Sequence, residues 1–415
     1  MADVLALADL QALADGAVGG PTTWRASAIE GRHPAVVVPA LVGALRTGRT
    51  PLVVAPGTGA DAVADLAAAL ARASDATGEA PGALLALPTS GTTSAPRCVL
   101  RKVRSWDAAL VPFTALACTG PDDVAWAPGT GASTLTLWAL WHALSTGVPA
   151  LATGAWRGVP RDRAMAEVLD RVTVLHAVPA VLADVLAARD AGVLPALRTA
   201  VVAGAALPLG LRRAAAEAGV RVVEYYGAAE LSFVAADPDG SGLRPFPGCE
   251  VRVRGGAVEV RSPYVALGYV LPAGERPGPL YRDGDGWAGV GDRGRLDVGG
   301  ALEVAGRGDR ALSVGGHVVL AADVERVLGG VDGVLEVVCL GEEDQRLGQR
   351  ACAVVRTVVP ADGRPELLRR LRAAARAGLP GPARPVRHRF LDELPRAPGG
   401  KPDLSRLAEL LRDLT

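Results

Sequence analysis

Short β-branched runs alternate with Ala- and Leu-rich stretches along most of this chain, and no other feature restricts its possible folds so strongly. Strand-like runs are AVVV at 35–38, PLVV at 51–54, VTVL at 172–175, TAVV at 199–202 and VRVV at 220–223. Helix-like stretches fall at 60–73, 178–192 and 207–219. Alternation of this kind predicts α/β layers with a largely parallel sheet. The strand-like runs lack polar alternation, as expected of strands covered by helices on both faces. Between about 231 and 305 the texture changes to Gly, Pro and short alternating strands. EVRVRGGAVEVRSP at 250–263 reads as a hairpin turning at Gly255-Gly256, so an antiparallel, barrel-like subdomain is expected there. Beyond Gly306 the pattern is mixed again, with helices at 322–328 and 365–378 and strands at 334–341 and 350–359. The reading is an α/β chain. Residues 1–305 form a large domain of helix-covered, mostly parallel sheets, with the β-rich subdomain at about 231–305. Residues 306–415 form a small mobile C-terminal α/β domain.

Charge excludes some functions. Lys plus Arg and Asp plus Glu number 44 each in 415 residues, for a net charge of zero. Nothing points to nucleic acid or an anionic membrane. No run of about 18 apolar residues is present, so no membrane span is expected. The opening MADVLALADLQALADG carries Asp3 and Asp9 without an early Lys or Arg. It reads as an amphipathic surface helix, not a secretory signal. Five cysteines are scattered and none forms a C-x-x-C pair, which fits thiols in a reducing, cytoplasmic setting. Five histidines are likewise dispersed, with no metal-ligand spacing. Among the basic residues only Lys102 and Lys401 are lysine. A lysine kept in so arginine-rich a chain draws attention, because the two are not equivalent in a tight polar site.

The densest motif is Thr89-Ser90-Gly91-Thr92-Thr93-Ser94, followed by Ala95-Pro96-Arg97, after the apolar run ALLAL at 83–87. A glycine-containing loop rich in hydroxyl and N–H donors after a strand is suited to phosphate oxygens. It is not a Walker loop. TSGTTSAPR resembles the signature loop of the adenylate-forming superfamily: acyl- and aryl-CoA ligases, luciferases and peptide-synthetase adenylation domains. Ser94, Arg97 and Cys98 stand where that pattern carries Gly, Lys and Gly. Four further stretches follow in the family's order. Glu224-Tyr225-Tyr226-Gly227-Ala228-Ala229-Glu230 resembles its YGxTE element, Gly291-Asp292 its ribose-binding Asp, Gly306-Arg307-Gly308-Asp309 with Gly315-Gly316 its hinge region, and Pro395 to Lys401 its C-terminal lysine loop. The texture of 315–341 and of the DQRLGQR run at 344–350 resembles short o-succinylbenzoate–CoA ligase-like and aryl-acid ligase-like members.

The resemblance implies roles. Tyr226 stacks on adenine, where an aromatic face suits a purine. Glu230 helps hold Mg²⁺ with the phosphates, as a carboxylate suits a hard cation. Asp292 accepts both ribose hydroxyls, and Arg307 contacts ribose or phosphate. Gly204, Ala205, Glu224, Tyr225, Gly227 and Arg97 complete the nucleotide contacts. Asp309 is the hinge, and Gly315 and Gly316 lie near a thiol tunnel. Lys401 bridges the substrate carboxylate and the α-phosphate. Ala229 replaces the Thr of the pattern, and no His stands near 126–131 where the family has an aromatic-His motif. The acyl pocket is expected at Thr130, Gly131, His176, Ala228 and Ala229, and its small residues favour an aryl or short acid.

The implied activity is ATP-dependent formation of an acyl-AMP, then transfer to coenzyme A, with ATP, Mg²⁺ and coenzyme A required. Rival readings are the same adenylation with a carrier-protein phosphopantetheine or a small nucleophile as acceptor, and a nucleotide-binding regulatory protein that has lost catalysis. A dinucleotide-binding oxidoreductase, hinted at by Pro56-Gly57-Thr58-Gly59, lacks a third Gly and a downstream acid in place. The expected partners are a small carboxylic acid and coenzyme A or a carrier protein, with neither nucleic acid nor membrane. Homodimer formation stays open.

Overall fold

The computed structural model describes residues 3–5, 26–30, 33–89, 97–159, 162–189, 192–272, 278–307, 311–315, 317–344, 346–397 and 401–413. Four sheets organise them. The central sheet has eight strands. Its middle is parallel: Ala150–Ala152, Ala125–Trp126, Val174–Ala177, Thr199–Val202 and Arg221–Ala228 lie side by side. Ser232–Asp237 then turns back antiparallel on Arg221–Ala228. A second, five-stranded sheet runs from Ala26–Glu30 through Thr50–Val54, Leu84–Pro88 and Cys98–Lys102 to Gly268–Val270. The third is antiparallel and carries the hairpin of Glu250–Arg254 and Ala257–Arg261. It ends at Asp292–Leu296 paired with Leu302–Arg307. So part of the expected β-rich stretch extends the first two sheets instead of forming a barrel of its own.

The C-terminal sheet is built from Ala311–Val314, His317–Leu320, Val334–Asp344, Gly348–Thr357 and Arg387–Phe390. It has its own apolar core, where Val324, Leu328, Val355, Leu367 and Leu371 are buried. The helices Ala321–Gly329 and Arg364–Gly378 cover it. The expected boundary between Ala305 and Gly306 falls inside the strand Leu302–Arg307.

Two elements differ from expectation. AVVV at 35–38 is helical, within Pro34–Arg46. His33 caps it, its Nδ1 accepting from the Ala35 N–H at 3.3 Å, and Pro34 occupies the first turn, a position that suits proline. The apolar run is longer than the four residues that suggested a strand, and Val37, Val38 and Leu41 recur at helical spacing on its buried face. The expected N-terminal helix fails over Asp3–Leu5, which pair antiparallel with Ala150–Ala152. The rest of that stretch lies outside the described residues.

Between the central sheet and the helices Val103–Ala117 and Thr134–Thr146 sits an aromatic core. Phe113 meets Trp138 edge-on at 5.4 Å and stacks on His176 at 5.8 Å. Phe233 meets Trp138 at 5.0 Å and Phe246 at 4.7 Å. Aromatic residues make up only 4% of the chain, so their concentration here fixes how these helices seat on the sheet. Among the described residues no helix is long and apolar enough to cross a membrane.

Candidate active site

The strands on either side of the hydroxyl-rich stretch form a hairpin. Leu84–Pro88 and Cys98–Lys102 are antiparallel with Pro88 opposite Cys98, and the Thr89 N–H donates to the Arg97 carbonyl at 3.0 Å. Ser90, Gly91, Thr92, Thr93 and Ser94 lie outside the described residues. Arg97 Nε is buried with no hydrogen-bond partner among the described residues. The hairpin base is linked to Glu230 in two ways. Cys98 and Val99 pair with Val270 and Tyr269, and the Tyr269 hydroxyl donates to Glu230 Oε1 at 2.8 Å. Arg101, on the same strand, donates to the Ala229 carbonyl at 2.6 Å and to Ser232 Oγ at 2.6 Å. Glu230 is only 4% exposed.

Glu230 lies in the turn after Arg221–Ala228, and that strand supplies Tyr226. The Tyr226 hydroxyl donates to Asp292 Oδ2 at 2.7 Å, joining the central sheet to the third. Arg307 is the cross-strand partner of Asp292. Gly227 permits the sharp register shift that follows Tyr226, since a Cβ there would stand 1.9 Å from the Ser232 carbonyl oxygen. Tyr225 points the other way, as neighbours along a strand do. Its ring packs on Phe233 at 4.9 Å and Phe113 at 6.3 Å. Glu224 accepts from the Leu207 N–H at 3.2 Å and from Arg212 at 2.9 Å. It therefore fixes the 203–207 segment that carries Gly204 and Ala205. Burial raises its pKa, against the pull of the Leu207 N–H and Arg212.

Lys401 arrives from the C-terminal sheet. The Ala397 N–H donates to the Lys401 carbonyl at 2.9 Å and the Asp403 N–H to the Pro395 carbonyl at 2.8 Å, so the loop is closed on itself. The Lys401 stem lies against the central sheet: a Cβ placed on Gly204 would be 3.6 Å from Lys401 Cε. Gly204 adopts φ +88 and follows the C-terminal end of Thr199–Val202, the edge at which open α/β sheets bind ligands. Asp309 and Gly316 lie outside the described residues. The Gly315 N–H donates to the Leu347 carbonyl at 2.8 Å.

Of the expected acyl-pocket residues, His176 is 2% exposed and its Nε2 has no hydrogen-bond partner among the described residues. Thr130 Oγ1 is also buried without a partner there. Gly131 abuts the helix Pro34–Arg46, where a Cβ would stand 2.4 Å from Val37 Cγ2. Ala228 packs against the core of the third sheet, and Ala229 is fixed through its carbonyl by Arg101. Burial pulls His142 from 6.5 down to about 4. Burial, with His142 nearby, pulls His176 down to about 3. Both imidazoles stay neutral when folded but take a proton near pH 6.5 when unfolded. The unfolded state thus binds more protons below that pH, and stability falls as pH drops. The melting temperature should fall from pH 6.5 toward 4, and His142→Gln should flatten that fall. An unchanged pH slope in the variant would contradict this.

Sequence reasoning missed Arg101. It is fully buried, and desolvation lowers it to about 10 while the Glu230 carboxylate opposes the shift. The signal was its place inside the apolar strand Cys98–Lys102, where Val99 and Arg101 face one side and Leu100 the other. Lys102, the other lysine of the chain, pairs with Glu79 at 2.6 Å.

Two family profiles match. AMP-binding enzyme covers residues 71–270, and AMP-binding enzyme C-terminal domain covers residues 323–401. This chain belongs to the AMP-binding enzymes. One relative is a probable 2-succinylbenzoate–CoA ligase of Mycobacterium tuberculosis, 36% identical over 215 residues, 51% of this chain and 53% of that protein. Another is a salicylyl-CoA synthase / salicylate adenylyltransferase of a Streptomyces species, 34% identical over 270 residues, 58% of this chain and 47% of that protein. The chain spans about half the length of the curated relatives it matches. Among solved structures, an E. coli MenE variant with bound OSB-AMS superposes with a TM-score of 0.74 at 22% identity, covering 99% of this chain and 92% of that one. The amide bond synthetase McbA of Marinactinospora thermotolerans does so with 0.74 at 23%, covering 97% and 94%. These two share the fold. In this AMP-binding enzyme the site suits a magnesium-bound nucleotide. It offers a buried carboxylate, an aromatic face tied to a second carboxylate, a buried Arg97 Nε without a partner among the described residues, and a lysine delivered to the strand ends.

Proposed function

We propose that this protein activates a small carboxylic acid, aryl or short, as its acyl-AMP with release of pyrophosphate, and then transfers the acyl group to coenzyme A in the cytoplasm. The observation that carries the reading is the meeting of Lys401 with Gly204 at the carboxyl ends of the central strands. Tyr226, hydrogen-bonded to Asp292 across two sheets, stands four residues before Glu230 in the chain. In the first half-reaction the substrate carboxylate oxygen attacks the α-phosphorus and the bond to pyrophosphate breaks. Lys401 offsets charge on the five-coordinate phosphorus. The 89–94 loop holds the β- and γ-phosphates. Tyr226 stacks on adenine while Asp292 and Arg307 hold the ribose. Mg²⁺ held at Glu230 would supply Lewis-acid stabilisation of the phosphate charge. In the second half-reaction the small domain, residues 306–415, turns about Asp309. Lys401 is withdrawn and a thiol enters past Gly315 and Gly316, as in hinge closures elsewhere. The thiol sulfur attacks the acyl carbonyl, AMP leaves, and the thiol proton passes to solvent.

The names of the relatives support coenzyme A as acceptor and an aryl acid as substrate. AMP release from salicylate or 2-succinylbenzoate with and without coenzyme A tests the second step. Release that rises with coenzyme A, with thioester formed in equal amount, is expected. Release indifferent to coenzyme A but raised by a carrier protein or an amine would move the acceptor to that class.

A further inference from the structure

The loop that carries Lys401 is tied to the central-sheet domain by a chain of alternating charges outside the residues placed in the reaction. Arg356, on the C-terminal strand Gly348–Thr357, is 7% exposed. Its Nη1 meets Asp184 Oδ1 at 2.6 Å, and its Nη2 donates to the Ala180 carbonyl at 3.3 Å. Both partners belong to the helix Pro179–Arg189 of the central sheet. Arg356 Nε also lies 3.6 Å from Glu336 Oε2. Glu336 in turn receives Arg396 through both oxygens, at 3.0 and 2.7 Å. Arg396 starts the closed loop that ends in Lys401, with Arg396 bridged to Pro402. Four charges, two of each sign, therefore run unbroken from the large domain to the lysine loop. A fork-shaped guanidinium held by a carboxylate and a carbonyl is a geometrically exacting contact. Arg213–Asp332, a second cross-contact at 2.8 Å, has both side chains more than 60% exposed and adds little.

We propose that Asp184–Arg356 is the latch that holds the C-terminal domain docked for acyl-AMP formation, and that Glu336 and Arg396 transmit this docking to Lys401. The inference rests on the two-step reading above. Asp184, Arg356 and Glu336 are positioning residues: none has a role at the substrates, and each acts through the placement of Lys401. Turning the small domain separates Arg356 from Asp184, while Glu336 travels with Arg356 and keeps it paired. The latch thus opens by releasing a carboxylate that is already 38% exposed and a guanidinium that keeps Glu336 as its partner, so neither charge is left buried and unpaired, which suits a contact made and broken in every turnover.

Asp184→Asn in the full chain tests this. Removing the latch should slow ATP–pyrophosphate exchange with salicylate or 2-succinylbenzoate about tenfold. Thioester formation from supplied salicyl-adenylate and coenzyme A should be unchanged, and Asp184→Glu should restore most of the exchange. A second readout needs no substrate. Spin labels on exposed Cys118 and on Val386→Cys, which is 53% exposed, report the distance between the two parts of the chain. One distance population is expected while Asp184 is present, and a second, more widely separated one in the Asp184→Asn variant. Equal slowing of both half-reactions, or unchanged exchange together with an unchanged distance distribution, overturns the latch. If no acid supports exchange in the unaltered protein, the two-step reading fails, and the label distances alone decide whether Asp184–Arg356 holds the domain.

Discussion

Lys401→Ala slows acyl-AMP formation by ~10²–10³, the usual loss for one charge-stabilising donor in a preorganised site. On the proposed two-step mechanism, thioester formation from a supplied acyl-AMP is spared, because there the lysine is withdrawn before that step. The expectation rests on contact as well as on sequence. The loop is closed by backbone hydrogen bonds on both sides of Lys401, and the side-chain stem is packed against Gly204. Alanine removes the ammonium without disturbing those backbone bonds, so its effect should be confined to one step. Pyrophosphate exchange and thioester formation measured separately on the same variant check it. Equal loss in both steps would remove Lys401 from its assigned place.

Arg101→Leu has the largest expected effect on stability, a loss of about 3 kcal/mol, read as a shift in the urea midpoint. The guanidinium is fully buried and supplies donors to the Ala229 carbonyl, Ser232 Oγ and the Tyr264 carbonyl. Leucine keeps the bulk but leaves those acceptors buried without their donors, which costs more than the hydrogen bonds contributed. The turn from Ala228 to Glu230 then loses its anchor to the hairpin strand Cys98–Lys102. Nucleotide affinity should fall with stability, whereas Arg101→Lys should recover part of both. A midpoint within experimental error of the parent would contradict this role.

Periodicity sufficed for the parallel strands and their helices. Thr199–Val202 and the hairpin at Gly255-Gly256 lie where the residues suggested. Short apolar runs carry no such certainty, because a buried helix and a buried strand look alike over four residues. At 35–38 the cap at His33 and the proline after it decided the matter. The candidate site could be nominated where a motif carries its own chemistry, as with Tyr226, Asp292, Glu230 and Lys401. It was not legible where function depends on which way a side chain points. Adjacent Tyr225 and Tyr226 face opposite sides of one strand, so only Tyr226 meets Asp292. Glu224 looks like a ligand carboxylate in sequence, yet its two oxygens hold Leu207 and Arg212. Arg101 reaches partners 128 and 131 positions away along the chain, and 172 positions separate Arg356 from Asp184. No local pattern announces such pairs.

One measurement reaches the centre of this account: exchange of labelled pyrophosphate into ATP, screened over aryl, short-chain and amino acids. Acid-dependent exchange with at least one aryl or short carboxylic acid, abolished by chelating magnesium, is the predicted result. Tight nucleotide binding with no exchange for any acid in the panel would contradict it and would leave a nucleotide-binding protein without the chemistry.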